Sequence, residues 1–194
     1  MTAEPRNLWH LPDGLPVPVD DGACDHLPGL RLPAIALPAT VGSTIDLSAL
    51  SGRSVVYVYP RTGSPDQPLP TGWDAIPGAR GCTPQSCSYR DLAAEFAALS
   101  ARIFGLSTQD TAYQQEAVER LHLPFPLLSD ESLVFPSALN LPTFEVDGLT
   151  LIRRLTLVVD EGAIETVFYP VFPPDADAAN VASWLRARQV SDAV

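Results

Sequence analysis

Two cysteines carry the most evident chemistry in this sequence. They lie in Gly81-Cys82-Thr83-Pro84-Gln85-Ser86-Cys87-Ser88-Tyr89-Arg90-Asp91, where a Gly/Pro-rich stretch gives way to a helix-prone run. Pro84 suits a first helical turn, where a missing N–H costs little. A sulfur at Cys82 then meets the free backbone N–H groups and the positive dipole end of a helix start, and both favour an anion. A thiolate held in this way is a good nucleophile. Gly81 lets a small ligand approach the backbone closely. Arg80 and Arg90 are near enough in sequence to add positive potential.

Cys87 follows five residues later. On an intact α-helix, residues five apart differ by ~140° in direction and ~7.5 Å in rise, which separates their Cα atoms by ~8.6 Å. A disulfide requires less than about 7 Å. The pair therefore does not bond while the helix is wound. Either the two thiols stay apart, or the first turns unwind to join them.

These residues need a frame, and the chain's patterning predicts one. Ser54-Val55-Val56-Tyr57-Val58-Tyr59 is a β-branched and aromatic run ended by Pro60, the best buried-strand candidate. Residues 61–80 are rich in Gly and Pro and read as a loop, unusually long for a compact domain. Thr83 to Ala101 reads as one helix, with Leu92, Phe96 and Leu99 on a shared face. Strands follow at Arg102–Leu106 and Phe125–Leu128, with helices at Thr111–Leu121 and Asp130–Leu139. Leu155–Val159 and Ile164–Tyr169 flank Asp160-Glu161-Gly162 as a hairpin. Asp175–Arg188 is a final amphipathic helix carrying Val181, Trp184 and Leu185. Leu30–Leu37 is a proline-bounded edge strand, and Thr44–Leu47 a short second one. The order implies an α/β domain with a mixed central sheet flanked by helices, a three-layer arrangement. Seven of the 20 prolines fall in the first 40 residues. Residues 1–29 therefore read as an extended arm, and 30–194 as the domain.

Composition narrows the classes. With 194 residues, 46% hydrophobic and 18% charged, the chain is long enough for a single core without a disulfide framework. Acidic residues outnumber basic ones by 23 to 12, for a net charge of −11, and every basic residue is arginine. Such a chain is repelled by nucleic acid and by anionic membranes, so neither is an expected partner. Three cysteines are too few for a secreted scaffold. No run reaches a membrane span, and the N-terminus lacks a signal-peptide pattern, so a cytoplasmic protein is expected. Cys24 reads as an ordinary thiol. A zinc site from Cys82, Cys87 and His122 matches no common ligand spacing.

Residues 81–91 resemble the Q-type (bacterioferritin-comigratory) subfamily of the peroxiredoxins, whose signature is Gly-Cys-Thr-x-x-x-Cys-x-(Phe/Tyr)-Arg-Asp. The similarity extends to Val55–Pro60, Gly105–Thr108, Leu123–Asp130 and Arg154–Asp160, and covers about residues 30–188. The resemblance implies a thioredoxin-like fold and a thiol peroxidase acting on hydrogen peroxide and organic hydroperoxides. It makes Cys82 the peroxidatic and Cys87 the resolving cysteine, joined as an intramolecular disulfide and recycled by thioredoxin or a similar dithiol. Arg154 and the Thr83 backbone N–H are implied to stabilise developing charge, and Gly81 to border the substrate. No metal or organic cofactor is required. The internal cysteine pair removes the need for a partner subunit, so a monomer is expected. The alternative role is a peroxide-sensing module that relays oxidation to a protein partner.

The sequence departs from this pattern upstream of Cys82. The family's Pro-x-x-x-Thr-x-x-Cys motif would place threonine at 79, where alanine stands. Either Pro77 substitutes for the motif proline, or Pro60 and Thr62 keep the motif's roles and 63–80 is an insertion. The arm and its Cys24 are additional to the family pattern.

Overall fold

Alternation along the central strand sets the architecture. Val55, Tyr57 and Tyr59 belong to one buried cluster, and Val56 and Val58 to another on the opposite face, as the two-residue period of a strand demands. The computed structural model describes residues 8–192. Its strands are β1 (Ala36–Pro38), β2 (Thr44–Asp46), β3 (Arg53–Val58), β4 (Ala101–Ser107), β5 (Leu127–Ser129), β6 (Thr143–Val146), β7 (Leu149–Ile152), β8 (Leu155–Asp160) and β9 (Ala163–Phe168). Its helices are α1 (Cys82–Asp91), α2 (Ala93–Ala98), α3 (Thr111–Leu121), α4 (Val134–Leu139) and α5 (Asp177–Asp192).

The central sheet runs β5-β4-β3-β8-β9. β3, β4 and β5 are parallel, while β8 lies antiparallel to both β3 and β9. The mixed sheet expected from the sequence is present, and its fold is thioredoxin-like. The two faces are covered differently. Tyr89 and Phe96 of the α1–α2 region, Ala117 and Leu121 of α3, and Val181 and Leu185 of α5 pack on one face. The other carries Phe135 and Leu139 of α4, Leu37 of β1, and Cys24, Leu27 and Leu32 from the chain before it. That layer is largely irregular chain instead of the helices expected there.

Several boundaries shift for physical reasons. The expected strand at Leu30–Leu37 shrinks to β1, because Pro33 removes a ladder donor. A bridge from Arg31 to Ala163 and bonds from the Gly29 and Leu32 amides to the Ile164 and Gly162 carbonyls still tie this stretch to β9. The single helix expected over 83–101 breaks at Leu92, whose ψ of 6° departs from helical geometry. β5 starts at Leu127, since Pro126 has no N–H to donate. α4 begins only at Val134, where the Asp130 carboxylate accepts from the Val134 and Phe135 amides. A hairpin, β6–β7, was not expected from the sequence. Its turn, Asp147-Gly148, has positive φ at both residues, as a two-residue primed turn requires. Among the described residues, no helix is long and apolar enough to cross a membrane.

The first seven residues of the arm lie outside the described residues. Beyond them the arm is pinned to the domain: Leu27 is fully buried, and Asp21 accepts a 2.9 Å bond from the Tyr169 hydroxyl. Leu27→Ala is expected to lower unfolding free energy by about 2–5 kcal/mol, the usual cost of emptying a core site. Chemical denaturation checks this. An arm lying loosely on the surface would give a change near zero.

Candidate active site

The site forms where β3 ends and β8 begins. Val58 pairs with Leu155, so Arg154, the residue before β8, stands at the sheet end from which the chain leaves toward α1. Residues 63–80 cross this end as a loop containing a short 3-10 turn at Trp73–Ala75. α1 then starts at Cys82. Its preceding residue, Gly81, has φ +101°, a left-handed conformation that L side chains rarely adopt. A Cβ there would also fall 2.3 Å from Pro174 Cγ. Glycine is therefore required to turn the chain into the helix at this point.

Arg154 is 3% exposed and makes contacts on all sides. Its Nη2 lies 3.1 Å from Cys82 Sγ and donates to the Ala79 and Arg80 carbonyls at 3.1 Å each. Its Nε donates to the Gly78 carbonyl at 3.2 Å, and Nη1 donates to Gln85 Oε1. One planar cation thus fixes the incoming loop, the first helical turn and the sulfur together. A lysine has three donors on a single atom and cannot reproduce this fork. At 3.1 Å, a thiolate would gain on the order of 5 kcal/mol from the guanidinium at an effective dielectric constant near 20. That offsets a desolvation cost of several kcal/mol for a buried ion. Cys82 is itself 3% exposed, and Arg154 is the cation beside its sulfur.

Behind Arg154 stands a second layer. Gln85 Nε2 donates to Asp177 Oδ2 at 2.8 Å. The same oxygen accepts from the Tyr89 hydroxyl at 2.8 Å and the Thr156 hydroxyl at 2.7 Å. Burial pushes the Asp177 carboxyl above its usual range, against the opposing effect of these three donors. Tyr89 also stacks on Tyr57, with ring centroids 4.5 Å apart, and the Tyr57 hydroxyl donates to Ser86 Oγ at 3.1 Å. These contacts moor α1 to β3, β8 and α5. The sequence places Tyr89 within the 81–91 stretch but does not single out Gln85 or Asp177. An aspartate in the first turn of α5 reads as ordinary dipole compensation, and nothing local signals that its side chain turns inward.

Of the residues singled out from the sequence, Gly81, Cys82, Thr83 and Arg154 come together. Gly81, Cys82 and Thr83 border one narrow crevice with Leu8, Gly63, Leu69 and Trp73. Arg153, Arg154's neighbour, borders a second hollow that Arg154 also lines, and not the crevice at Cys82. Cys87 lies on the same wound helix as Cys82, and all three cysteines are free thiols. Burial raises the Cys87 thiol above its ordinary 9.0, opposed by Arg90. Arg90 itself turns to Asp91 and to the Leu121 carbonyl, so it borders Cys87 instead of supporting Cys82. Arg80 pairs with Asp74 at 3.3 Å.

The motif proline and threonine need correction. Pro77 is exposed and borders the hollow that holds Arg153, so the structure does not bring it to the crevice. Pro60 is buried at the exit of β3. Thr62 is fully buried, but its hydroxyl donates to Gln109 Oε1 at 3.0 Å, which spends the hydrogen expected to serve a substrate. Ala79, at the motif position, packs against Trp73, Val146 and Leu151. Its carbonyl, not a side chain, faces the site. Cys24 sits on the opposite side of the sheet from Cys82, with its thiol pushed up to about 12 by burial and by Asp21, Asp20 and Asp25.

This fold is that of a known class. The redoxin family pattern matches residues 27–185. Peroxiredoxin Q, chloroplastic, of Oryza sativa subsp. japonica is 32% identical over 149 residues, 76% of this chain and 61% of that one. A protein of Mycobacterium tuberculosis strain H37Rv named as a peroxiredoxin is 30% identical over 154 residues, 78% of this chain and 90% of that one. The crystal structure of peroxidoxin BcpB from Mycobacterium tuberculosis matches with a TM-score of 0.68 at 28% identity, covering 84% of this chain and 98% of that chain. The chain belongs to the redoxin family, as a peroxiredoxin of the Q type. It spans about three fifths of the length of the plant relatives.

Two outcomes follow from this geometry. Asp177→Ala leaves the Tyr89, Thr156 and Gln85 donors without their shared acceptor, at an expected cost of about 1–3 kcal/mol per buried group in urea denaturation. Iodoacetamide at pH 8 is expected to spare Cys24 in the native protein, since a thiol at about 12 stays protonated there. Labelling of Cys87 should keep rising with pH beyond 9.0. Peptide mass mapping reads both.

Proposed function

We propose that this protein is a thiol-dependent peroxidase in which Cys82 takes the oxidising equivalent and Cys87 resolves it. The observation that carries the reading is the 3.1 Å contact between Arg154 Nη2 and Cys82 Sγ at a helix start. The family relatives supply the reaction class.

The Cys82 thiolate attacks the terminal oxygen of a peroxide ROOH. The O–O bond breaks, its electron pair leaves on RO⁻, and a proton converts that to ROH. The sulfur keeps one oxygen as a sulfenic acid. Arg154 and the Thr83 backbone N–H face the charge as it moves from sulfur to oxygen, which is where preorganised donors contribute most. The first turn of α1 then unwinds. The Cys87 sulfur attacks the sulfenic sulfur, the S–S bond forms, and water leaves. A dithiol of the thioredoxin type exchanges with this disulfide, restores both thiols and leaves oxidised. The balance is one peroxide and one dithiol consumed, and one alcohol, one water and one disulfide produced.

Both sulfurs come from one chain, which supports a monomer as the working unit. An odd set of three cysteines suits a reducing compartment, and the cytoplasm is the proposed location.

Cys82→Ser is expected to abolish peroxide consumption in a coupled dithiol assay. Cys87→Ser should consume one equivalent and then stall, with oxidised Cys82 seen by mass spectrometry. Arg154→Gln should slow the first oxidation by about 10²–10³-fold, the scale for removing one preorganised donor. Full turnover in Cys82→Ser would sink the proposal.

A further inference from the structure

The arm and the long loop meet over Cys82. Leu8 of the arm and Leu69 and Trp73 of the loop line the crevice that leads to its sulfur. The contacts are close. A methyl placed on Gly63 would fall 2.8 Å from Leu8 Cδ2 and 3.5 Å from Leu69 Cδ2. One placed on Gly81 would fall 2.6 Å from Leu11 Cδ2. Leu8 and Leu11 thus press on two glycines beside the reacting sulfur. What remains open to a water-sized molecule is about 10 Å³, close to the least that holds one water.

That space limits what can reach Sγ. Hydrogen peroxide has two heavy atoms and can enter end-on with a small shift of the leucine tips. An organic hydroperoxide presents the same terminal oxygen but brings a carbon group behind it. That group must stand in the crevice that Leu8 lines, where Leu11 backs its wall at Gly81. Neither leucine belongs to a strand or helix, and each is only half-buried.

We propose that Leu8 and Leu11 form a size filter over Cys82, so that the arm sets a preference for hydrogen peroxide over bulky organic hydroperoxides. This rests on Cys82 being the group that peroxide attacks. It assigns the arm, an addition to the family pattern, a part in substrate selection. A misfit of one methylene in an apolar pocket changes selectivity by about 10–200-fold, so two leucine side chains are enough to produce a measurable ratio.

The test is rapid-quench oxidation of Cys82 in the full chain by hydrogen peroxide and by cumene hydroperoxide, read by alkylation and mass spectrometry. Wild-type protein should favour hydrogen peroxide by about tenfold or more. The Leu8→Ala/Leu11→Ala double variant should narrow that ratio by about tenfold, because its rate with cumene hydroperoxide rises more. Leu8→Phe, which fills the mouth further, should widen it. Circular dichroism checks that both variants stay folded. A ratio that none of the substitutions moves, with Cys82 still oxidised by both peroxides, overturns the filter alone. A wild-type preference for cumene hydroperoxide overturns it as well. Failure of both peroxides to oxidise Cys82 overturns the peroxidase reading, and the filter with it.

Discussion

The buried guanidinium of Arg154 is the constraint on which the site depends. It is held at the end of the sheet by its place before β8. From there it reaches three successive loop carbonyls, the side chain of Gln85 and the sulfur of Cys82. The carbonyls alone would leave the guanidinium without a charged partner, and in the proposed cycle the sulfur supplies one when it is a thiolate. Each explains the burial of the other. Because the loop is fixed here through its backbone carbonyls, no side-chain hydroxyl at 79 is needed to hold it, and alanine at that position packs against Trp73, Val146 and Leu151.

The ties on α1 are uneven along its length, and this bears on the proposed cycle. Its first turn is buried and is tied by polar contacts through Gln85 to Arg154 and to Asp177. From Ser86 onward it is held by the Tyr57 hydroxyl and by the Tyr57–Tyr89 stack. Polar contacts can be exchanged for water when a turn opens, whereas the stacked rings would have to expose apolar surface. Gly81 gives the chain a pivot just before the turn. In the proposed cycle, opening of this turn would bring Cys82 toward Cys87, whose segment is moored by the stack.

Much of this was legible in the sequence, for local reasons. The strand at Val55–Tyr59, the helix beginning near Cys82 and the hairpin around Gly162 follow from short-range patterning, and the structure contains all three. Cys82 and Thr83 could be placed by resemblance to one motif, and Arg154 by resemblance to a second stretch, Arg154–Asp160. What could not be read depends on contacts distant in sequence. Gln85 and Asp177 are 92 positions apart, and only the packing of α5 across α1 joins them. Thr62 looked available because its partner, Gln109, lies 47 residues away. The β6–β7 hairpin is a different kind of miss, since an Asp-Gly pair between alternating apolar residues was present to be read. Leu8 and Leu11 were hidden inside a proline-rich arm that gives no periodic signal.

The most direct test of the account is to treat the reduced protein with one equivalent of hydrogen peroxide and map its sulfurs by mass spectrometry. The account predicts a single new linkage between Cys82 and Cys87, with Cys24 still a free thiol. A linkage through Cys24, or an unmodified Cys82 after the peroxide is consumed, would contradict it.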